Sequence, residues 1–580
     1  MRTLKNKITS YIWGLAGIFT SLPLGGLGWA LTSCSDMLDT DSELVEFQED
    51  NRLNQPTDSV YSVMGIIYKL QTLADRTALL GEMRADLVSP TAEATSDLKA
   101  IAAFDIAEGN RYNKISDYYA VINNCNYFLA TVDTTLTKHG RRIFESEYAA
   151  VKAFRAWTYL QLALVYGDVP LVLQPVLTEK EAEEAMNKQF SSITDICNYF
   201  VTDLTPYVDT KLPQYGTINS MNSQKFFIPV RALLGDLCLW AGRYQEAATY
   251  YHDYLTLRTN PITTGVTSVS WNRETRDFQR VESGFANSLS DANGSEVITF
   301  LPMEPSEYEG VYSDLQNIYS STLRNNYYAQ ASPSKAYFQL SASQNYCMKY
   351  RASDAQTDTI YAPKENLLLP YQEGDLRLYD SYRTQVVNQD QNSRYAANRQ
   401  TLSKLNQKGL TLYRRQVVYL HFAEALNRAG YPQSAFAVLK YGLYDQTIRE
   451  RIDNIERQQA AGLLSFETNT FTQQNTLGIH SRGCGDADAD TLYVLPQPTA
   501  PLASRQDTVA FQQPLVEDYI VRELALETAF EGQRYYDLMR VALRRGDATY
   551  LADPVSRRNG TRDEALFARL SDKANWYLKK

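Results

Sequence analysis

A helical hairpin centred on Gly242 constrains the fold of this chain more than any other sequence feature. Gly235 lies in an apolar run with helical spacing, and the sequence Gly-Arg-Tyr-Gln-Glu-Ala-Ala begins at Gly242. Glycine ends a helix readily because it tolerates left-handed backbone dihedrals. Tyr244 is placed to fill the turn, and the small Ala247 lets the second helix approach the first closely. The pattern predicts two packed helices within residues 227–257.

This hairpin resembles a tetratricopeptide helix pair, in which small residues mark the contact between two antiparallel helices. A weaker copy surrounds Gly430, and fainter copies surround Gly167 and Gly532. The two fainter copies also fit generic helical hairpins. Because the turn glycines are unevenly spaced along the chain, we expect helix pairs separated by long insertions rather than a regular solenoid.

Helical periodicity dominates the rest of the sequence, and strand-like alternation is scarce outside short runs such as Val297–Leu301. Apolar residues recur at spacings of three and four in Asp58–Leu80, Ser116–Val132, Ile143–Tyr166, Ser192–Leu204, Phe227–Leu257, Arg414–Lys440 and Glu517–Arg544. Residues 258–413 and 465–515 show little helical signal, and we interpret both as ordered, functional loops. The fold class predicted is mostly α, an irregular scaffold of tetratricopeptide-like helix pairs with large loop-rich insertions.

The length of the chain limits how it can be divided into domains, and its charge limits the partners it can bind. Its 580 residues exceed the roughly 250–300 that a single hydrophobic core supports. We predict a helical part at 34–257, a loop-rich insertion at 258–413 that presents the ligand face, and a second helical part at 414–580. The net charge of −10 argues against binding to the phosphate backbone of nucleic acid.

The first residues have the pattern of a bacterial lipoprotein signal peptide. Basic residues are followed by an apolar stretch from Ile8 to Ala30, and the segment closes with Leu-Thr-Ser-Cys at 31–34. This tetrapeptide resembles a lipobox, so we expect residues 1–33 to be removed. Cys34 would then carry the lipid anchor, in which palmitate is one of the acyl chains. Two or more acyl chains anchor a protein stably to a membrane. The alternative is a transmembrane anchor with an incidental cysteine.

Sequence motifs of catalysis and metal binding are scarce. HExxH, GxxxxGK[ST] and GxSxG do not occur in the sequence. His480 and Ser481 are adjacent, which by itself gives no catalytic triad. The acidic run 486–490 begins like a calcium-binding loop, but Gln497 stands where the bidentate glutamate is required, and we interpret the run as a solvated turn. We predict no catalytic residue, no metal and no cofactor, and we expect Cys125, Cys197 and Cys238 to be buried free thiols.

Charged residues follow helical spacing near the C-terminus of the chain. They are Glu523, Glu527, Glu531, Arg534 and Arg540. Glycoside hydrolysis requires two carboxylates on opposite sides of a substrate, whereas these carboxylates lie along one helix among arginines. We therefore interpret them as structural ion pairs.

Three motifs in order give the chain a family resemblance. They are Leu-Gly-Glu-Met-Arg-Ala-Asp at 80–86, Ala-Phe-Arg-Ala-Trp at 153–157 leading into Tyr-Gly-Asp-Val-Pro at 166–170, and Arg-Glu-Leu-Ala-Leu-Glu at 522–527 with Phe-Glu-Gly-Gln-Arg-Tyr-Tyr-Asp-Leu-Met-Arg at 530–540. With the lipobox, they make the chain resemble the SusD/RagB family of Bacteroidetes surface lipoproteins over nearly its whole length. The two helical parts would then form one SusD-like domain.

The resemblance implies a scaffold of about four helix pairs and a role in nutrient uptake. Such proteins are lipid-anchored at the outer face of the outer membrane and bind oligosaccharide, or in some members peptide. They deliver this nutrient to a SusC-like TonB-dependent transporter, of which they form the lid, and no catalysis is attributed to them.

Aromatic side chains are the expected ligand contacts, because sugar rings pack their C–H faces on aromatic rings. The family builds its ligand sites from loops after the 80–86 motif and from the central insertion. In the insertion we predict as ligand-binding residues Trp271, Tyr308, Tyr312, Asn325, Tyr327 and Tyr328. Loop 88–112 offers only Phe104 and Tyr112, which argues against a flat aromatic arc. For each single tyrosine, packing within the protein is the competing interpretation.

Two other function classes stay open from the sequence. One is a tetratricopeptide-type interaction protein of the cell envelope that binds no small ligand. The other is a surface glycan hydrolase, which the scarcity of catalytic motifs disfavours. Binding assays separate the first from a nutrient-binding protein, and a search for glycan cleavage products tests the second.

Overall fold

The protein is mostly α-helical in its computed structural model, which describes residues 56–258, 269–272, 277–280, 292–319, 329–343, 348–351, 358–361, 375, 377, 381–386, 398–405, 409–466, 478–484 and 493–580. The leader, Cys34 and the acidic run 486–490 lie outside the described residues. Among the helices of the described ranges, none combines the length and the apolar character that crossing a bilayer requires.

The helices of the N-terminal half begin at residue 56. In chain order they are Pro56–Gln71 (α1), Ala74–Glu82 (α2), Ser96–Ala102 (α3), Ile115–Thr131 (α4), Glu145–Tyr166 (α5), Glu179–Met186 (α6), Ile193–Leu204 (α7), Val230–Trp240 (α8) and Tyr244–Arg258 (α9).

The helices of the second half are short in the insertion and longer near the C-terminus. They are Leu315–Ile318 (α10), Lys335–Ser343 (α11), Arg415–Arg428 (α12), Pro432–Lys440 (α13), Asp445–Arg451 (α14), Asn454–Gln459 (α15), Ser481–Cys484 (α16), Arg505–Thr528 (α17), Arg534–Arg545 (α18), Thr549–Ser556 (α19) and Glu564–Leu570 (α20). Single 3-10 turns occur at Thr205–Tyr207, Ser223–Phe226, Ser403–Leu405, Ala461–Leu463 and Lys573–Trp576.

The strands are short, and they form antiparallel pairs. The pairs of consecutive strands are Thr137–Lys138 (β2) with Arg141–Arg142 (β3), Val169–Pro170 (β4) with Phe190–Ser191 (β5), Thr217–Ile218 (β6) with Met221–Asn222 (β7), Val269–Asn272 (β8) with Asp277–Arg280 (β9), Met348–Arg351 (β12) with Asp358–Tyr361 (β13), and Tyr382–Val386 (β14) with Asn398–Leu402 (β15). Two pairs join distant segments: Val88–Pro90 (β1) with Ala331–Pro333 (β11), and Val297–Pro302 (β10) with Gly409–Arg414 (β16). The β10–β16 pair joins the start of the insertion to the residues that lead into α12.

The four glycines predicted to lie at turns all have positive φ angles. The values are 71° for Gly167, 76° for Gly242, 101° for Gly430 and 89° for Gly532. L-residues with a side chain rarely adopt such angles, which explains why glycine is found there. The helices around these glycines pack on one another as α5 with α7, α8 with α9, α12 with α13, and α17 with α18. The predicted helix-pair scaffold is confirmed.

Contact between α8 and α9 depends on the absence of a side chain at Gly235. A Cβ atom built there would lie 2.4 Å from Cε1 of Tyr251, well inside van der Waals contact. The same helices bury Cys238, and Cys125 and Cys197 are also buried free thiols, as predicted.

The first and last parts of the chain meet at Gly81 and Gly532. A Cβ atom built on Gly81 would lie 1.8 Å from the carbonyl oxygen of Gly532. The N–H of Gly532 donates to Oε1 of Glu82 at 2.8 Å. This contact fixes α2 against the turn before α18, and with it the 80–86 motif against the 522–540 motif.

Two details of the predicted organisation are wrong. The predicted irregular stretch 465–515 ends at α17, which begins at Arg505 and includes Pro514. Ser504 caps this helix by accepting a hydrogen bond from the N–H of Asp507. Next to Pro514, the side chain of Gln513 donates to the carbonyl oxygen of Asn427, and residues 505–515 are helical despite the proline. The predicted helix 58–80 is two helices, because the backbone N–H and hydroxyl of Thr72 both bond the carbonyl oxygen of Lys69. The predicted domain division stays a prediction.

Candidate functional site

Two of the predicted ligand-binding tyrosines lie on one surface loop. This loop, residues 302–314, connects β10 to α10 and is called here the Tyr308 loop. The side chain of Tyr308 is 83% exposed, and that of Tyr312 is partly buried. Trp271 lies on β8, opposite Phe278 of β9. Asn325, Tyr327 and Tyr328 lie outside the described residues, so their role stays a prediction.

The Tyr308 loop is closed by its own backbone. The N–H of Glu304 donates to the carbonyl oxygen of Val311 at 2.9 Å, and Glu304 and Tyr312 form a β-bridge. Gly310 closes the loop with a φ of 143°, and a Cβ atom there would lie 3.0 Å from Cγ of Glu304. The segment that carries Tyr308 is therefore a compact loop whose ends are close together.

The helices α1 and α2 hold both ends of the Tyr308 loop. At one end, Nε2 of Gln71 donates to the carbonyl oxygen of Pro302 at 2.6 Å. At the other, the carboxylate of Asp75 accepts from Oγ of Ser313 at 2.6 Å and from the N–H of Asp314 at 2.8 Å. Burial raises the pKa of Asp75, while these two hydrogen bonds oppose that rise. The loop is thus positioned by a partly buried carboxylate.

A third tyrosine of this surface comes from α1. Tyr68 is 46% exposed, and its Cε2 lies 3.9 Å from the Cβ position of Gly310. We call Tyr68, Tyr308 and Tyr312 the tyrosine face. Sequence reasoning missed Tyr68 because it lies in a helical segment, where the apolar pattern does not show which positions reach the surface.

Carboxylates surround the tyrosine face. Burial raises the pKa of Glu304, and the neighbouring charge of Glu309 raises it further. Burial also raises the pKa of Tyr312, with added contributions from Asp314 and Glu307. Acidic groups suit the recognition of ligand hydroxyl groups, because an ionised carboxylate accepts hydrogen bonds from O–H donors.

The loop after the 80–86 motif turns its aromatic side chains inward. Phe104, which has a φ of 57°, packs on Tyr535 with ring centroids 5.8 Å apart. Tyr112 is buried, and the guanidinium of Arg111 lies over its ring at 4.7 Å. Nη2 of Arg111 also lies 3.5 Å from Oδ2 of Asp314, so the loop supplies a cation beside the Tyr308 loop. Its own aromatic residues form no exposed platform.

The carboxylates predicted to form structural ion pairs do so. We call this set of buried charges the α17 cluster; its members on α17 and the turn after it are Glu523, Glu527 and Glu531, and their arginine partners are Arg377, Arg414 and Arg482. Arg377 bonds Glu523 at 2.8 Å, and Arg414 bonds Glu527 at 2.7 Å.

The pKa of Glu523 reflects its partners. Burial by itself would raise this pKa, but the positive charge of Arg377 and the hydrogen bond from His480 lower it to about 2. Nδ1 of His480 lies 2.7 Å from Oε1 of Glu523, and its ring stacks on Tyr493 with centroids 3.8 Å apart. His480 is thus part of this buried arrangement.

Two more arginines of the C-terminal motif are also paired. Arg534 bonds Asp86 through Nε at 2.7 Å, and Arg540 bonds Glu424 through Nη2 at 2.6 Å. The confirmed ion pairs connect the motif to the N-terminal part and to α12. In the described part of the chain, no group of three or more His, Cys, Asp or Glu side chains is arranged to hold a metal ion.

Comparison with known proteins identifies relatives of this fold. Residues 390–574 match the family model described as the SusD family. None of the curated proteins compared with the chain matches it. A SusD superfamily protein from Bacteroides vulgatus ATCC 8482 is 16% identical with a TM-score of 0.54, over 90% of this chain and 95% of that one. Another, from Bacteroides thetaiotaomicron VPI-5482, is 14% identical with a TM-score of 0.52, over 84% and 89%.

A third similar structure carries a functional name. It is surface glycan-binding protein A from Bacteroides fluxus, which is 15% identical with a TM-score of 0.51 and covers 88% of this chain and 92% of that one. At such low identities, the structural similarity establishes the fold.

Proposed function

From the SusD-family match of residues 390–574 and the SusD-superfamily fold of the described chain, we propose that this protein is a non-catalytic glycan-binding protein of the bacterial cell surface. The name of the similar Bacteroides fluxus protein supports a glycan as the ligand class. Peptide is the second ligand class that the family resemblance allows.

The exposure of Tyr308 is the observation that carries this proposal. A tyrosine ring that is 83% exposed contributes little to the hydrophobic core, yet the loop that presents it is held by two partly buried hydrogen bonds to Asp75. An aromatic ring held in place can bind the C–H face of a sugar at a small entropic cost, because the loop is already ordered. The neighbouring carboxylates and Arg111 then supply hydrogen bonds to the sugar hydroxyls.

The buried ion pairs support binding rather than catalysis. A glycosidase requires one carboxyl group that protonates the leaving oxygen and a second that acts as nucleophile or base. Glu523 and Glu527 are fully buried and bonded to arginines, and both have lowered pKa values. Neither is suited to protonate a leaving group.

Delivery to a transporter completes the proposal. A lipid on Cys34 would hold the protein at the outer face of the outer membrane, where it would form the lid of a SusC-like TonB-dependent transporter and pass an oligosaccharide to it. The support for this part is the lipobox pattern before Cys34 and the family match. Replacing Cys34 with Ala should release a folded protein from the membrane fraction, and a variant that stays membrane-bound would contradict the lipid anchor.

Calorimetric titration of the purified protein with a panel of neutral oligosaccharides and peptides tests the binding site. We expect one ligand class to bind, and we expect Tyr308→Ala to weaken that binding at least about tenfold, because the variant loses the stacking surface. The matched control is Tyr199→Ala, since Tyr199 of α7 is also exposed but lies outside the tyrosine face.

Two results would contradict the proposal. If no oligosaccharide or peptide binds, a protein-interaction role without a small ligand is the better account. If Tyr308→Ala binds as tightly as the unmodified protein, the ligand site lies elsewhere on the molecule.

A further inference from the structure

Arg558, two residues after α19, carries a buried positive charge that the protein does not neutralise. Its side chain is only 5% exposed. Nη1 donates a long hydrogen bond, 3.4 Å, to the carbonyl oxygen of Ala102, and Nε and Nη2 are buried with no protein partner. Among the residues that the structure describes, Arg558 is the only arginine with both of these atoms buried and unpartnered.

The unpartnered atoms form the edge with which arginine binds a carboxylate. Nε–H and Nη2–H point in the same direction in the plane of the guanidinium and match two oxygens at once. Arg534 uses this edge to bind Asp86, at 2.7 and 2.9 Å, and Arg414 uses it to bind Glu531, at 2.6 and 2.9 Å. Arg558 presents the same edge without a carboxylate.

Nearby groups do not compensate the charge of Arg558. Among the charges of the described residues, only that of Asp86 favours the protonated form of Arg558, and both oxygens of Asp86 are engaged by Arg534. Burial lowers the pKa of Arg558 to about 10, so the group stays protonated at neutral pH. An unpaired buried charge costs several kcal/mol in desolvation, which favours the binding of a counter-ion.

The surroundings of Arg558 limit the size of that counter-ion. Ala102 ends α3, and the N–H of Ala336 in α11 donates to the carbonyl oxygen of Arg558 at 3.1 Å. The next residue, Asn559, accepts from Oγ of Ser89 in β1 at 3.1 Å. Because the side chain is only 5% exposed, it leaves no room for an oligosaccharide or a peptide carboxylate, and a counter-ion for it has to be a small free anion.

We propose that Arg558 binds a small monovalent anion, of the size of chloride, where α3, β1 and α11 meet the residues that follow α19. The anion accepts hydrogen bonds from Nε and Nη2 and neutralises the guanidinium. This site is separate from the tyrosine face, so it does not depend on the ligand proposed there. It stabilises the packing of β1 and of the end of α3, which both lie in loop 88–112, against the residues that follow α19.

Crystallography with bromide in place of chloride locates the anion directly. We expect an anomalous difference peak within hydrogen-bonding distance of both Nε and Nη2 of Arg558. A refined water at that position, with no anomalous signal in saturating bromide, would overturn the proposal. This measurement uses the unmodified protein, so it holds even where a variant fails to fold.

Thermal unfolding measures the contribution of the anion in solution. At constant ionic strength, replacing gluconate with chloride should raise the melting temperature by about 2 °C with a saturating dependence on concentration. Arg558→Met should lose this rise. The matched control is Arg557→Met, since Arg557 is exposed and paired with Asp553, and this variant should retain it. Equal melting temperatures in both salts, or a chloride effect that persists in Arg558→Met, would overturn the site.

Discussion

The α17 cluster and the Tyr308 loop use the same kinds of side chain in opposite ways. In the cluster, Glu527 is fully buried and bonded to arginines, so its charge fixes distant segments to one another. In the loop, one partly buried carboxylate, that of Asp75, holds the backbone, while Tyr308 is exposed. The difference shows that charge and aromatic content do not locate a binding surface by themselves. Burial decides which groups stabilise the fold and which contact a ligand.

Breaking the α17 cluster should have the largest effect on stability. Glu527→Leu removes a carboxylate shared by Arg377, Arg414 and Arg482 and leaves buried positive charge without its partner. We expect a loss of about 3–5 kcal/mol in the free energy of unfolding, measured by urea denaturation. Ligand affinity of the folded fraction should not change. A variant as stable as the unmodified protein would show that the cluster is not needed for the fold.

The control for this variant is an exposed ion pair. Glu184→Gln removes the partner of Lys180 on α6, where both side chains are exposed and the charges are 3.9 Å apart. We expect a change within about 0.5 kcal/mol, because solvent screens such a pair.

Glu82 should make the protein less stable as the pH rises, whereas the carboxylates of the α17 cluster make it less stable as the pH falls. Burial raises the pKa of Glu82 from 4.5 to about 7, and its Oε2 has no protein partner. A carboxyl group with a raised pKa in the folded state stabilises the protein below its unfolded pKa, and this contribution is lost as pH rises through about 7. We expect a loss on the order of 1–3 kcal/mol between pH 5 and pH 8, measured as the free energy of unfolding in urea.

Glu82→Gln is the control for that prediction. The amide has no charge at either pH and still accepts a hydrogen bond from the N–H of Gly532. The variant should therefore lose less stability than the unmodified protein between pH 5 and pH 8. If both lose the same amount, the pH dependence comes from other groups. Glu523 acts in the opposite direction, because its pKa is lowered to about 2 and its contribution is lost only as pH falls from about 4.5 towards 2.

Releasing the Tyr308 loop should cost less stability than breaking the α17 cluster and still weaken binding. Asp75→Ala removes the acceptor for Ser313 and for the N–H of Asp314, and we expect a loss of about 1–2 kcal/mol in unfolding free energy. Ligand affinity should fall several-fold, because the tyrosine is no longer held in place. Ser313→Ala removes only one of the two bonds and should fall between Asp75→Ala and the unmodified protein in both measurements. If Asp75→Ala binds the ligand with unchanged affinity, binding does not depend on how firmly the Tyr308 loop is held.

Local sequence patterns predicted the scaffold well. The Gly242 pattern indicated two helices within 227–257, and α8 and α9 are found at Val230–Trp240 and Tyr244–Arg258, one residue past the predicted end. Turn glycines are legible in sequence because a positive φ angle excludes most other residues. The prediction that the C-terminal carboxylates form ion pairs is confirmed, but their placement along one helix is wrong, because α17 ends at Thr528 and Glu531 lies in the turn that follows.

The sequence did not predict which residues contact each other across long distances in the chain. Arg377 and Arg482 lie 150 and 45 residues from Glu527, and no local periodicity connects them. The exposure of Tyr68 depends on how the Tyr308 loop lies beside α1, which is a tertiary contact. Residues 505–515 show little helical signal in the sequence, yet they form the start of α17, which Ser504 caps.

The meeting of Gly81 and Gly532 also sets the order of events during biosynthesis. Glu82 and the N–H of its partner Gly532 are 450 residues apart. A ribosome makes about 5–20 residues each second, so α2 waits tens of seconds before its docking surface exists. Until then Gly81 and Oε1 of Glu82 lack their native contact with Gly532. The docking of α2 is therefore possible only after Gly532 has been made, long after the synthesis of α2 itself.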